Sequence, residues 1–242
     1  MASSLMARVV PSPARLALFS YKICPFCAKV KAVARHAGIA LHTIEVNPLT
    51  KSQISWSKDH RKVPIAVMDD GRVVVESDLI VEELLKLSAP DDVFASAEAQ
   101  KWSKWATNDL ALMMYPNITR NFAECREALA YADTSFGMVD ATLIRTVGAL
   151  GMSFAHGKIK KKYGIVDERA SMWERLDVWE KQVGSASFRG GKAPDLGDVA
   201  VFGVLDALKG LSAHSEITEK SIKLKSWLAD MDAALPPPNL IK

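Results

Sequence analysis

The chain has 242 residues, a length that suggests about one to two domains of ordinary size. Hydrophobic residues make up 49% of it, enough for a core in each of two domains. A formal net charge of +3 argues against nucleic acid as a principal partner, and three cysteines, an odd number, exclude a disulfide framework. No uncharged run approaches the roughly 20 apolar residues that a membrane-spanning helix needs, so surface attachment is the membrane contact left open. No acidic residue precedes Glu45, whereas Arg8, Arg15, Lys22, Lys29, Lys31 and Arg35 all do. Residues 1–15 read as a short disordered leader, with the remnant of an organellar transit peptide as the alternative.

From Leu16 onward strand-like and helix-like segments alternate. Leu16–Ser20 is a short apolar strand, and Cys27–His36 is a helix with Val30, Val33 and Ala34 on one stripe and Gly38 as its stop. Leu41–Val46 alternates as a strand, and Lys51–His60 is predicted as a short helix. Val63–Met68 and Arg72–Val75 are strands joined at Asp70-Gly71, a hairpin signal. Ser77 is placed as the cap of a helix carrying Leu79, Ile80, Leu84 and Leu85. The order β-α-β-α-β-β-α is the thioredoxin-like arrangement used by glutathione transferases, and it assigns 16–87 to an α/β domain. Residues 88–97, with Pro90, form the expected linker, and 98–242 read as an all-helical domain. Trp102, Trp105, Asp109 and Met113 set the period of its first helix, which Pro116 ends. A second covers Met138–Tyr163, with Val139, Leu143, Val147, Leu150 and Phe154 as the expected buried stripe. Further helices cover Glu168–Val183, Val199–Leu211, apolar nearly all round and therefore central, and Ile222–Leu235. Asp195 and Asp198 fit a capping box at the start of the central helix.

The chemistry concentrates at Cys24-Pro25-Phe26-Cys27. Cys24 stands where a helix starts, and unpaired N–H groups there favour a thiolate. Lys22 and Lys29 are expected to add to that field. Cys27, one turn on, is the candidate resolving thiol. A C-x-x-C pair also serves as a zinc half-site, but no second pair exists, Cys125 is alone, and the histidines show no ligand spacing. The pair therefore reads as thiol or redox chemistry in a reducing, intracellular compartment, cytoplasmic or organellar (mitochondrial included). Tyr21 can donate a hydrogen bond to the thiolate or to a substrate oxygen, or simply cover the edge of the site. Lys62-Val63-Pro64 precedes a strand where a cis-proline would face the cysteine helix, leaving the Val63 backbone to pair with an extended peptide. Glu76-Ser77 opens a helix whose N–H groups suit a carboxylate. Glutathione, a short peptide with two carboxylates, fits both places. The run Lys158-Ile159-Lys160-Lys161-Lys162 suits a helix C-terminus, with contact to an anionic membrane surface as the alternative.

Tyr21-Lys22-Ile23-Cys24-Pro25-Phe26-Cys27, with Val46-Asn47-Pro48, Arg61-Lys62-Val63-Pro64-Ile65 and Glu76-Ser77, resembles the membrane-associated type-2 prostaglandin E synthase family. The resemblance continues at Trp102-Ser103-Lys104-Trp105-Ala106, Tyr115-Pro116-Asn117 and the stretch Gly190–Val201. Two local departures are a tight Asp69-Asp70-Gly71 hairpin and Glu76 where the animal pattern has Asp. The resemblance implies a homodimeric, glutathione-dependent isomerase of lipid metabolism that converts prostaglandin H2 to prostaglandin E2, with Cys24, Tyr21 and Cys27 as catalytic residues. It places glutathione against Val63, Pro64, Glu76 and Ser77, with haem beside it in some members, and allows peripheral membrane contact. A glutaredoxin-like thiol–disulfide oxidoreductase or glutathione transferase is the alternative. A glutathione- or haem-binding protein without thiol catalysis is the third reading.

Overall fold

The computed structural model describes residues 10–237 together with the strand Leu240–Ile241. The leader expectation falls mostly on residues 1–9, outside the described residues. The sheet has five strands in the order β4-β3-β1-β2-β5. These are β1 (Leu16–Ser20), β2 (Leu41–Glu45), β3 (Ile65–Met68), β4 (Val73–Val75) and β5 (Leu240–Ile241). Strand β1 is buried along its whole length, as suits an apolar run at the centre of a sheet covered on both faces. It runs parallel to β2 and antiparallel to β3, and β3 pairs antiparallel with β4 through a turn at which Gly71 takes φ +84°. Helix α1 (Pro25–His36) follows β1, and helix α2 (Ser77–Ser88) follows β4.

Two local expectations are corrected here. The segment Lys51–His60 is not a helix; only Ser52–Ile54 forms a single 3-10 turn. Side chains bond to the backbone in and around it instead, and Trp56 Nε1 donates to the Gln53 carbonyl (2.9 Å), which a helix would use for its own ladder. Asn47 Oδ1 accepts from the amides of Leu49 (2.9 Å) and Thr50 (3.2 Å), and Ser57 Oγ donates to the His60 carbonyl (2.6 Å). Ser77 does not cap α2. Glu76 holds the N-cap position at φ +70° without a side-chain bond, and Ser77 is the first helical residue.

The remainder is helical. Helix α3 (Ala97–Trp105), a π-helical segment (Ala106–Leu110) and α4 (Ala111–Asn117) follow one another, with Pro116 inside the last turn of α4. Two short helices that the sequence pattern did not reveal come next, α5 (Phe122–Ala128) and α6 (Ala132–Ser135). Helix α7 (Met138–Leu143), a second π-helical segment (Ile144–Gly148) and α8 (Ala149–Lys162) cover the predicted second helix. The chain then forms α9 (Glu168–Val183), α10 (Leu196–Asp206), α11 (Ser212–Lys220) and α12 (Ile222–Ala234). Every residue of α10 from Leu196 to Leu205 is buried, so its all-round apolarity has the expected cause. Its capping box is present. Asp195 Oδ1 accepts from the Asp198 amide at 3.0 Å, and Asp198 Oδ2 accepts from the Asp195 amide at 3.1 Å.

The expected stripe of the second helix is overturned. Val139, Leu143, Val147, Leu150 and Phe154 are all exposed, Val139 by 70% and Phe154 by 78%. The side that packs inward is instead Ala141, Ile144 and Ala149, with Gly148 placed so that a Cβ there would stand 3.1 Å from Leu129 Cδ1. Small residues allow the closer approach, and the larger apolar ones are left outside. Among the described residues no helix is long and apolar enough to cross a membrane.

Candidate active site

Cys24 is the N-cap of α1 in extended geometry (φ −83°, ψ 115°), with Pro25 as the first helical residue. Proline suits that position, where its missing N–H costs nothing. Cys24 is half-buried, Cys27 is fully buried, and both are free thiols. Their surroundings separate them. A hydrogen bond from the Cys27 thiol, the amides of Cys27 and Phe26 and the charge of Lys31 together hold the Cys24 thiol below its ordinary value, against the effect of burial. Burial, and then the neighbouring Cys24, push Cys27 well above it. Of the two, Cys24 is thus the thiol that ionises more readily, and Cys27 is the one that donates to it.

The expectation about neighbouring cations changes. Lys29 is wholly buried on the other side of α1. Its ammonium pairs with Asp78 and donates to Thr107 Oγ1 (2.7 Å) and the Ser103 carbonyl (3.0 Å), so it tethers α1 to α2 and the helical half. The cation that reaches Cys24 is Lys31, two helical turns on and therefore on the same face.

Tyr21 precedes the turn in which the Cys24 amide donates to the Tyr21 carbonyl at 3.1 Å. Burial, and then the Cys24 charge, raise its phenol to about 12, so it stays protonated and can donate. The peptide Val63-Pro64 is cis. Because Phe19 pairs with Ile65 and Ile65 with Val75, Tyr21, Val63-Pro64 and Glu76-Ser77 gather at one end of the sheet. Among the described residues no hydrogen bond engages the Val63 amide or carbonyl, and the hydroxyl of the buried Ser77 has no protein partner. Glu76 is exposed and held at φ +70°, a strained setting for a non-glycine residue.

Tyr21, Cys24 and Val63 line one cleft of about 410 Å³. Cys27 lies beneath it, and Pro64, Glu76 and Ser77 are not part of its lining. The opposite wall comes from the helical half, chiefly Leu112, Tyr115, Leu129, Tyr131, Met152 and Tyr163. Tyr115 donates to the Met152 carbonyl at 3.1 Å, and burial raises its phenol to about 12; Tyr131 is raised by burial and then by Glu45. Sequence reasoning missed this wall. Tyr131 sits between two helices too short to show a period, and nothing local ties Tyr115 to a residue near Cys24. A larger cavity of about 540 Å³, bordered by Lys22, Lys31, Arg35 and Lys209, shares Ile23 and Tyr131 with the cleft but does not include Cys24. The presence of Cys24 therefore makes the smaller cleft the candidate site.

Residues 18–91 match the family described as glutathione S-transferase, N-terminal domain. The chain is 28% identical to prostaglandin E synthase 2 of Mus musculus, over 91% of its own length and 70% of that protein. It is 26% identical to prostaglandin E synthase 2 of Danio rerio, over 91% of its length and 71% of the relative. The motif resemblance to prostaglandin E synthase 2 extends over nearly the whole chain. Among solved structures, the beta-etherase LigF from Sphingobium sp. strain SYK-6 superposes with a TM-score of 0.63 at 20% identity, covering 90% of this chain and 95% of that one. A glutathione S-transferase from Pseudomonas fluorescens gives 0.60 at 16% identity, covering 95% and 98%. The architecture is the glutathione-transferase fold, a thioredoxin-like unit followed by helices, and the likeness is to enzymes.

Proposed function

We propose that this chain is a glutathione-using isomerase that rearranges a lipid endoperoxide of the prostaglandin H2 type to the hydroxyketone, as in prostaglandin E2. One observation carries the reading: the half-buried Cys24 thiol, its pKa lowered by its surroundings, opens into an apolar cleft of about 410 Å³ that also holds the neutral phenol of Tyr21. That volume lies in the range of about 300–1,000 Å³ usual for small-ligand sites. The likeness to prostaglandin E synthase 2 supports the substrate class.

Cys24 attacks one peroxide oxygen. An S–O bond forms as the O–O bond breaks, and the electron pair goes to the second oxygen. Tyr21 gives its proton to that alkoxide, which becomes the hydroxyl of the product. The resulting phenolate, the base of an acid near pKa 12, takes the hydrogen from the carbon bearing the sulfur-bound oxygen. The C–H pair becomes the carbonyl bond, and the S–O pair returns to Cys24. Thiolate and phenol are both restored, with no net oxidation.

The end of the sheet suits a short anionic peptide. Val63 offers a free backbone beside the cis-proline, Pro64 shapes it, Ser77 offers a hydroxyl and the first-turn amides of α2, and Glu76 offers a carboxylate for an ammonium group. Glutathione held there would supply a second thiol. Among the described lining residues there is no histidine, so haem, also implied by the resemblance, would be held by the sulfur of Cys24 or Met152.

The hydrogen bond from Cys27 to Cys24 favours a second reading, thiol–disulfide exchange with Cys27 as resolving thiol. The two are separated by reductant balance. Given prostaglandin H2 and glutathione, the isomerase forms prostaglandin E2 over many turnovers without consuming thiol. Rapid turnover of a glutathione mixed disulfide, with endoperoxide loss no faster than in buffer and glutathione alone, would replace the first reading by the second.

A further inference from the structure

The cavity of about 540 Å³ beside the cleft takes no part in the chemistry at Cys24. It lies between α1, the end of α5 and the turn that follows α10. Helix α1 lines it with Ala28, Lys31, Ala32 and Arg35, the i, i+3, i+4, i+7 spacing of one face. Alanine at two of these positions leaves room, and the buried Leu41, Phe202 and Leu211 complete an apolar interior. Ile23 and Tyr131 border both this cavity and the cleft and form the partition between them.

The charges around it are unevenly matched. Arg35 Nη1 and Lys209 Nζ both reach Asp232, at 2.9 Å and 3.3 Å, and Lys209 also lies 3.9 Å from Asp206. Glu127 accepts from the amide (3.0 Å) and the hydroxyl (2.8 Å) of Ser212. Lys22, exposed, and Lys31, half-buried, are left over. Among the described residues neither ammonium makes a hydrogen bond or an ion pair. Glu45, whose carboxylate accepts from the Lys22 amide at 2.7 Å, is not part of the lining.

We propose that this cavity binds a single-chain amphiphile with a carboxylate head, a long-chain fatty acid, its tail along Ala28, Ala32 and Phe202 and its head at Lys22 and Lys31. An apolar interior with unpaired cations at one edge suits such a molecule, because the tail leaves water while the head keeps charged partners. A small anion would leave the interior unfilled, and an uncharged lipid would leave both lysines unpaired. Glu127 and Asp206, on the same lining, disfavour a doubly charged phosphate head. The volume lies in the range of about 300–1,000 Å³ usual for small-ligand sites. No reaction at Cys24 is needed, so the proposal stands apart from the isomerase reading.

Calorimetry of the full chain with dodecanoate, below the concentration at which it forms micelles, tests it. Cys24 is first capped with N-(1-pyrenyl)maleimide to plug the cleft; Cys27 and Cys125 are buried, so the label goes to Cys24. The capped protein should still bind one dodecanoate per chain. Dodecyltrimethylammonium, with the same tail and the opposite charge, should bind at least about tenfold more weakly. Lys22→Glu/Lys31→Glu should lose at least about tenfold in affinity for dodecanoate. The comparison of the two ligands needs no variant, so the test holds even if that variant fails to fold. Loss of binding on capping would return the acid to the cleft and overturn the proposal. Equal affinity for the two ligands, or dodecanoate binding indifferent to the lysine reversal in a folded variant, would overturn it as well. Acetate binding as tightly as dodecanoate would make the site one for a small anion, and dodecyl phosphate binding more tightly would contradict the carboxylate head.

Discussion

Cys24 and Cys27 are the same side chain three residues apart, and their surroundings drive them in opposite directions. The largest influence on Cys24 is the hydrogen bond from Cys27, ahead of the backbone amides and Lys31. Its alkylation rate should therefore level off with rising pH below the ordinary thiol value of about 8.5. Removing the donor in Cys27→Ala should move that midpoint upward, and an unchanged midpoint would show that the helix start alone sets the thiolate. Ser77 makes a second test at this scale. Its hydroxyl binds no described protein group, so Ser77→Ala should leave the melting temperature in place. If the hydroxyl receives a glutathione carboxylate, affinity should fall by roughly 10- to 150-fold, the equivalent of about 1.5–3 kcal/mol. A lowered melting temperature with unchanged affinity by calorimetry would return Ser77 to a folding role. Cys24, Cys27 and Tyr21 were legible in the sequence because their relation is local. The replacement of Lys29 by Lys31 as the acting cation follows from helical geometry, since a spacing of seven returns to the same face and a spacing of five does not.

Among elements, periodicity located helices well and oriented them poorly. The central α10 was recognisable because it is apolar on every side, so orientation did not matter. For α7 and α8 the pattern showed an apolar stripe, and the natural inference that it points inward failed. Packing selected the small side, Ala141, Gly148 and Ala149, against Leu129. The same close approach governs α1 against α10, where a Cβ on Gly203 would stand 2.7 Å from Lys29 Cα and 2.9 Å from the Ala28 carbonyl oxygen. Backbone atoms cannot yield as a flexible side chain can. Gly203→Ala should therefore destabilise the protein by about 1–3 kcal/mol, read as a lower urea midpoint at unchanged slope. A midpoint equal to wild type would mean that the two helices separate at no cost. The missing helix over Lys51–His60 shows the converse limit. Asn47 and Ser57 spend their polar groups on nearby backbone, and a hydrophobic pattern does not register such bonds.

In the whole molecule, the end of the sheet that carries Tyr21, Cys24 and Val63 faces helices contributed from residues 111–163, and the cleft exists only between them. The order of elements and the thiol motif could be read along the chain, which is why the glutathione-transferase fold was within reach. The far wall could not, because Tyr115, Tyr131 and Met152 share a cleft with Cys24 only through packing that spans the sequence. The central claim is that Cys24 itself performs the rearrangement and Cys27 only supports its ionisation. The most direct measurement is the initial rate of prostaglandin E2 formation from prostaglandin H2, with glutathione present, in Cys24→Ser and Cys27→Ser side by side. Loss of the nucleophile in Cys24→Ser should remove the activity above the uncatalysed rate, while Cys27→Ser, whose hydroxyl can still donate, should stay within about tenfold of wild type. Full activity in Cys24→Ser, or equal loss in both variants, would contradict the account.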